Sequence, residues 1–183
     1  FYYERYQSLR LEKINSELNA LKAHINPHFL FNTLNGIYGL SLTNSTKTSD
    51  SILKLSSIMR YVLTETNTDL VYLKHELEYI DNYIDLQKIR LTDKTTINYT
   101  ITGNLEDQKV PPLLFINFIE NAFKYGLSNE VSTNIEIQIQ IQKKQLTLLV
   151  KNDKISDRFN QQISSNIGMP NIKKRLQLLY GSD

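Results

Sequence analysis

LKAHINPHFLFNTLNGIY, residues Leu21–Tyr38, decides how this chain is organised. It is a helical pattern interrupted by one proline, with a histidine directly after it. Pro27 denies a helix one backbone donor and clashes with the preceding turn. Two readings follow. The helix kinks at Pro27 and continues, or it stops and restarts with Asn26 as N-cap and Pro27 at the first helical position. The apolar pattern persists on both sides, which favours a kinked, nearly continuous helix. In the restart reading His28 lies in a first turn, whose positive end favours a neutral imidazole and a phosphate dianion beside it. Neutral imidazole is the form that can attack phosphorus. Asn32 lies one turn on, within reach of the histidine. It could orient the ring or hold a water, or be a surface amide; Asn35 is a weaker second candidate. His24, one turn earlier, reads as a polar neighbour.

Upstream, Leu11, Ile14, Leu18, Leu21 and Ile25 alternate at three and four residues, a coiled-coil seam with polar flanks. Such a stripe needs a partner, so a parallel dimer is expected. Its next positions are His28 and Asn32, so the seam turns polar just where the proline sits. Downstream, TNSTKTSD (Thr43–Asp50) reads as a connector. A helix over Asp50–Thr66 follows, with Ile52, Leu55, Ile58, Met59, Val62 and Leu63 on one side. Two helices joined by a short loop make a hairpin, and two hairpins make a dimeric four-helix bundle.

The second half changes character. A third helix is expected over about Leu73–Leu91, and it groups with the sheet that follows. His75, at its start, has no evident chemical role. Thr95–Thr102 alternates as a strand. Pro111 reads as the opening of a helix that carries NFIENAFKYG (Asn117–Gly126). Asn134–Ile141 and Leu146–Val150 form a hairpin turning at Lys143 and Lys144, Asp153–Ile167 a loop, and Pro170–Tyr180 a last helix closed by Gly181. The expected class is α+β, with domains at 1–68 and 69–183.

On the Asn117 helix, Asn117, Glu120, Asn121 and Lys124 share one face. This could be a solvated face. It also suits phosphate chemistry, because magnesium takes oxygen ligands and phosphoryl transfer needs positive charge.

Bulk properties narrow the field. The chain has 183 residues, 40% hydrophobic and 22% charged, an ordinary globular composition. A formal charge of +2 is too small to imply nucleic acid. With no cysteine, disulfides, zinc-thiolate sites and thiol nucleophiles are excluded, and a reducing compartment fits. No apolar run has bilayer length, and no signal peptide is visible. The sequons at Asn44 and Asn98 read as chance matches. FYYERY at the start and YGSD at the end both look cut. The aromatics beside Arg5 suit either a membrane–water interface or an amphipathic helix end.

Together, PHFLFN and NFIENAFKYG resemble the H-box and N-box of the LytS/YehU-type sensor histidine kinases, over nearly the whole chain. The resemblance implies a helical dimerisation and phosphotransfer half, followed by a GHKL-type α/β sandwich that binds ATP and is cut short at its C-terminus. It makes His28 the phosphoacceptor, Asn121 the magnesium ligand, Asn117 a support for phosphates and metal, and Lys124 a phosphate contact. Glu120 is then a candidate to polarise the histidine, and Tyr125 to pack on the nucleotide.

After the strand LTLLV the family has Asp-x-Gly-x-Gly, and here KNDKIS stands instead. Asn152 takes the place of the acid that reads adenine, and both glycines are absent. Gly168 alone remains of the second glycine box. The tail NIKKRLQLLYG is similar to the family's closing helix, a packing helix in which Lys173 and Arg175 could add charge. The implied activity is ATP- and Mg2+-dependent autophosphorylation followed by transfer to an aspartate of a response regulator. The implied setting is a homodimeric, cytoplasmic part of a membrane protein. The missing glycines support a different reading, a degenerate kinase that signals without ATP turnover. A GHKL ATPase accounts for the N-box but not for the proline–histidine element.

Overall fold

The computed structural model describes residues 5–6, 26–66, 68–128, 130–143, 145–153 and 181. The Leu11–Ile25 seam, His24, Gly168, the loop expected after Asp153 and the closing helix lie outside the described residues. The elements run α1 (Pro27–Leu42), α2 (Lys47–Thr64), β1 (Val71–Tyr72), α3 (Leu73–Lys88), β2 (Thr95–Gly103), β3 (Lys109–Val110), α4 (Ile116–Tyr125), β4 (Thr133–Ile141) and β5 (Leu146–Asn152). The mixture of helices with a mixed sheet is α+β. Two compact units result. One combines Phe1–Asp69 with Leu77–Arg90, and the other Leu70–Glu76 with Leu91–Asp183.

The first unit is helical. α1 ends as a Schellman motif: Asn44 takes a left-handed φ of 50°, its N–H donates to Ser41 O, and the Ser45 N–H donates to Leu40 O. Asparagine tolerates this conformation, so the expected polar connector is a helix stop with a defined geometry. α2 packs against α1 after the short turn. The rest of the core comes from α3. Tyr83 stacks on Phe29 with ring centroids 4.6 Å apart, and Tyr79 meets Tyr61 at 4.9 Å. Lys54 of α2 bridges to Asp85 of α3 at 2.9 Å. The grouping of the third helix with the sheet therefore needs correction. Only its first turn clusters there, because its tyrosines find aromatic partners on the hairpin.

α1 has two apolar faces. Phe29, Thr33 and Ile37 are buried, whereas Phe31, Leu34, Tyr38 and Leu42 are 46–66% exposed. The exposed four recur at three- and four-residue steps, so they line one stripe. None of the described helices is long and apolar enough to cross a membrane.

The second unit is built on a three-stranded sheet in the order β2-β4-β5. β4 is central. Its alternate residues Thr133, Ile135, Ile137, Ile139 and Ile141 are all buried, while Asn134, Gln138 and Gln140 face out. β2 runs parallel to β4 from Thr95 opposite Thr133 to Gly103 opposite Ile141, and β5 runs antiparallel to it. Gly103 sits at φ +102°, where a Cβ would collide with the Ile141 carbonyl, so that strand end accepts only glycine. The crossover between β2 and β4 contains α4, as a parallel pair demands. α4 opens at Ile116, not at Pro111. Leu113, in the turn between them, has a left-handed φ of 56° that an α-helix cannot include. β1 and β3, two residues each, form a separate antiparallel pair that sequence periodicity did not reveal.

Candidate phosphoacceptor and nucleotide sites

His28 lies in the first turn of a helix that begins at Pro27. Asn26 is extended, at φ −64° and ψ 106°, and its side chain accepts the Phe29 N–H at 3.3 Å. Pro27 occupies the first helical turn, where its missing donor costs nothing. The kinked, continuous helix favoured from the apolar pattern is thus corrected at Asn26, which is extended and caps a helix that begins at Pro27. Phe29 is 6% exposed and stacked on Tyr83, whose hydroxyl accepts from the Gln87 amide at 2.7 Å. Anchoring Phe29 inward turns the neighbouring His28 outward, where it is exposed. The Asn32 amide nitrogen lies 3.0 Å from Nε2 and 3.1 Å from Nδ1 of His28. The two distances are nearly equal, so the amide sits beside the ring without selecting one nitrogen as its acceptor. Asn35, also exposed, has no described contact with the ring.

The nucleotide motif occupies α4 in the other unit. Ile116, Ile119, Ala122 and Phe123 are buried beneath it. Asn117, Glu120 and Asn121 are half-buried, and Lys124 and Tyr125 are exposed, with Lys124 Nζ 5.0 Å from the Tyr125 ring centroid. The Asn117 amide donates to Leu113 O at 3.2 Å. At the C-terminal end of α4, Gly126 lies directly against Asn152: a Cβ on Gly126 would be 2.6 Å from Asn152 Cβ. The fold therefore brings the residue aligned with the adenine-reading acid to the end of the helix that carries Asn121. The Asn152 amide nitrogen donates to Asp153 O at 3.0 Å. A cavity of about 730 Å3 beside α4 is lined mainly by apolar residues, among them Leu114, Phe118, Leu146 and Leu148. Neither Asn117, Asn121 nor Lys124 lines it, so it is not a place for phosphates.

Comparison with known proteins matches residues 16–95 to the histidine kinase family. The sensor protein LytS of Streptococcus agalactiae serotype V is 31% identical over 179 residues, 91% of this chain and 31% of that protein. LytS of Staphylococcus haemolyticus is 29% identical over 180 residues, 92% of this chain and 31% of that protein. The sensor histidine kinase BtsS of Escherichia coli K12 is 29% identical over 182 residues, 99% of this chain and 32% of that protein. Over nearly its whole length the chain is similar to the LytS-type sensor histidine kinases. It spans about a third of the length of these curated relatives.

The donor set on α4 is of a kind that could hold magnesium and phosphates. Asn117 commits its amide N–H to Leu113 O, which leaves Oδ1 for a cation. Asn121 adds a second amide oxygen and Lys124 a positive charge. Magnesium takes few protein ligands of this kind and completes its shell with phosphates and water. Asn152 likewise spends its N–H2 on Asp153 O, so its oxygen is the atom left to accept from an amino group.

One buried residue was missed from sequence. Glu76, 0% exposed, accepts the Leu113 N–H at 2.9 Å and the Phe115 N–H at 3.3 Å. Its signal was a lone carboxylate on the apolar stripe of Leu73, Leu77, Ile80 and Ile84.

Proposed function

We propose that this chain is the kinase core of a two-component sensor: it phosphorylates His28 from ATP and passes the phosphoryl group to an aspartate on a response-regulator receiver domain. The observation that carries this reading is the outward-facing His28 in the first turn of a helix capped by Asn26, with the Asn32 amide 3.0 Å from its ring. The unprotonated ring nitrogen forms a bond to the γ-phosphorus as the bond from phosphorus to the bridging oxygen of ADP breaks. The imidazolium then gives up its N–H proton to water, and Glu120 is the candidate to polarise the ring. Bound Mg2+ would neutralise phosphate charge during transfer. Asn117 and Asn121 would hold the metal, and Lys124 the phosphates. Tyr125 would pack on the nucleotide, and Asn152 would read adenine.

The second apolar stripe on α1, Phe31, Leu34, Tyr38 and Leu42, supports a homodimer, because an exposed stripe of that length favours burial against a second copy. The resemblance further supports a cytoplasmic core in a membrane-anchored parent. The degenerate-kinase reading keeps one support, the lysine and serine at positions 154 and 156 where the family has glycine.

Incubating the protein with γ-labelled ATP and Mg2+ separates these readings. Acid-labile label is expected on the wild type and on His24→Ala, and none on His28→Ala or His28→Gln. Label that survives His28→Ala but not His24→Ala would refute the assignment. An unlabelled wild type that still binds ATP would favour the degenerate reading.

A further inference from the structure

The Glu76 carboxylate is fully buried at the first turn of α3, and it bonds across to the turn ahead of the nucleotide helix. Its Oε2 accepts the Leu113 N–H at 2.9 Å and its Oε1 the Phe115 N–H at 3.3 Å. Both oxygens are thus used on alternate residues of one turn. Between those two donors lies the stretch that Leu113 enters with φ +56°, a conformation unfavourable for a leucine. Two charge-assisted hydrogen bonds are strong enough to hold it there. The carbonyl of the same Leu113 accepts from Asn117 Nδ2 at 3.2 Å. One residue's backbone therefore connects two side chains: carboxylate to N–H on one side, C=O to amide on the other.

We infer that Glu76 is a positioning residue for the metal–phosphate site, acting through Leu113 to fix which atom Asn117 presents. An asparagine amide offers a nitrogen or an oxygen, and magnesium accepts only the oxygen. With Leu113 O held in place, the Asn117 N–H2 has a fixed acceptor and Oδ1 has one direction left. With Leu113 released, the amide can rotate and present either group. The carboxylate never touches nucleotide or metal. This role rests on the functional reading above, in which Asn117 faces Mg2+ and phosphates.

Glu76→Gln keeps the side-chain shape but replaces one acceptor by an N–H2 that faces a backbone N–H, so half of the clamp is lost. The measurement is the affinity for ATP, with and without Mg2+, for the wild type, Glu76→Gln, Asn117→Ala and the double variant. Glu76→Gln is expected to weaken Mg2+-dependent binding about tenfold, the scale of one lost buried hydrogen bond. In the Asn117→Ala background it should change that binding by less than about twofold, because the two act in series. Equal effects in both backgrounds would mean that Glu76 serves stability alone, and would overturn the inference.

Asn117→Asp gives a second arm that leaves Glu76 in place. Aspartate cannot donate to Leu113 O, so it should lose Mg2+-dependent affinity despite its added charge. Tighter binding by Asn117→Asp would overturn the relay even if Glu76→Gln does not fold. A wild type that shows no Mg2+-dependent ATP binding would instead remove the functional reading, and this role with it.

Discussion

At the scale of single residues, side-chain amides organise both candidate sites by where they direct their hydrogens. Asn32 points its N–H2 at His28, Asn117 at Leu113 O and Asn152 at Asp153 O. For Asn152 this has a measurable consequence. Its oxygen is the atom left to accept a hydrogen bond, and it lacks the charge that would strengthen one to an adenine amino group. Asn152→Asp should tighten ATP binding, by roughly tenfold at most. Titration calorimetry that shows flat or reduced affinity would mean that Asn152 is already matched to its surroundings, and would overturn the idea of a weakened contact there.

Gly126→Ala probes the same contact from the other side. Its Cβ would fall 2.6 Å from Ala122 O and 2.6 Å from Asn152 Cβ, so either the helix end or the strand must move. We expect a loss of about 1–3 kcal/mol in thermal unfolding together with weaker ATP binding. Unchanged stability would mean that the two elements separate freely. The spacing of His28 and Asn32 was legible in the sequence because i and i+4 always meet on a helix. The break at Pro27 was not. Kink and restart share one apolar pattern, and only the Asn26 side chain on the Phe29 N–H distinguishes them.

At the scale of elements, α2 and α3 are tied by a cluster of charges. Lys54 contacts Asp50 at 2.8 Å and Asp85 at 2.9 Å, and Lys88 contacts Asp85 at 3.3 Å. The hydrogen bond to Asp50, then that to Asp85, holds the Lys54 pKa above its ordinary value. Burial pushes Asp85 upward, but the hydrogen bond and charge of Lys54 outweigh it, and the net shift is downward. A lowered carboxylate stabilises the fold above its unfolded value, near 4, and that gain is lost as pH falls through the folded value. A raised lysine stabilises below its unfolded value of about 10.4, and that gain is lost as pH rises through the folded value.

Lys54→Met should therefore lower Tm between about pH 4 and pH 10 and have less effect outside that window. The Asp85 side chain is 42% exposed, so the shift should be small, roughly 1–3 °C. A pH-independent difference would assign the effect to packing instead. The main helices and the strands β2, β4 and β5 were readable from period and turn chemistry. β1 and β3 were not, since two residues cannot show an alternation. Glu76 was passed over because a helix stripe is read by its apolar members.

At the scale of the whole molecule, the two units reuse one helix. α3 gives its first turn to the sheet unit and its remainder to the helical unit. Sequence pattern alone could not divide it. Leu73, Leu77, Ile80 and Ile84 form a continuous stripe whatever lies against it, and only the aromatic pairs with Phe29 and Tyr61 say which partner was chosen. The outward stripe of α1 belongs to this scale as well. Replacing Leu34 and Tyr38 by Lys should shift the protein from dimer towards monomer in sedimentation, because a lysine in a buried seam is costly. A wild type that stays monomeric at high concentration would contradict the proposed assembly.

The pairing of β2 with β4 also sets an order of events while the chain folds. Every paired position in that ladder is separated by the same long stretch, from Thr95 opposite Thr133 to Gly103 opposite Ile141. β4 and β5 close instead over the short turn between Ile141 and Leu146. A hairpin of that kind forms in about 1–10 μs, whereas non-local parallel pairing must first close a long loop and comes later. The intervening stretch is the one that contains α4. On a ribosome, β2 must therefore wait unpaired until the whole N-box helix and β4 have emerged. α4 lies between the two strands of this slower ladder, so the nucleotide binding proposed for it should be among the last properties a newly made chain acquires.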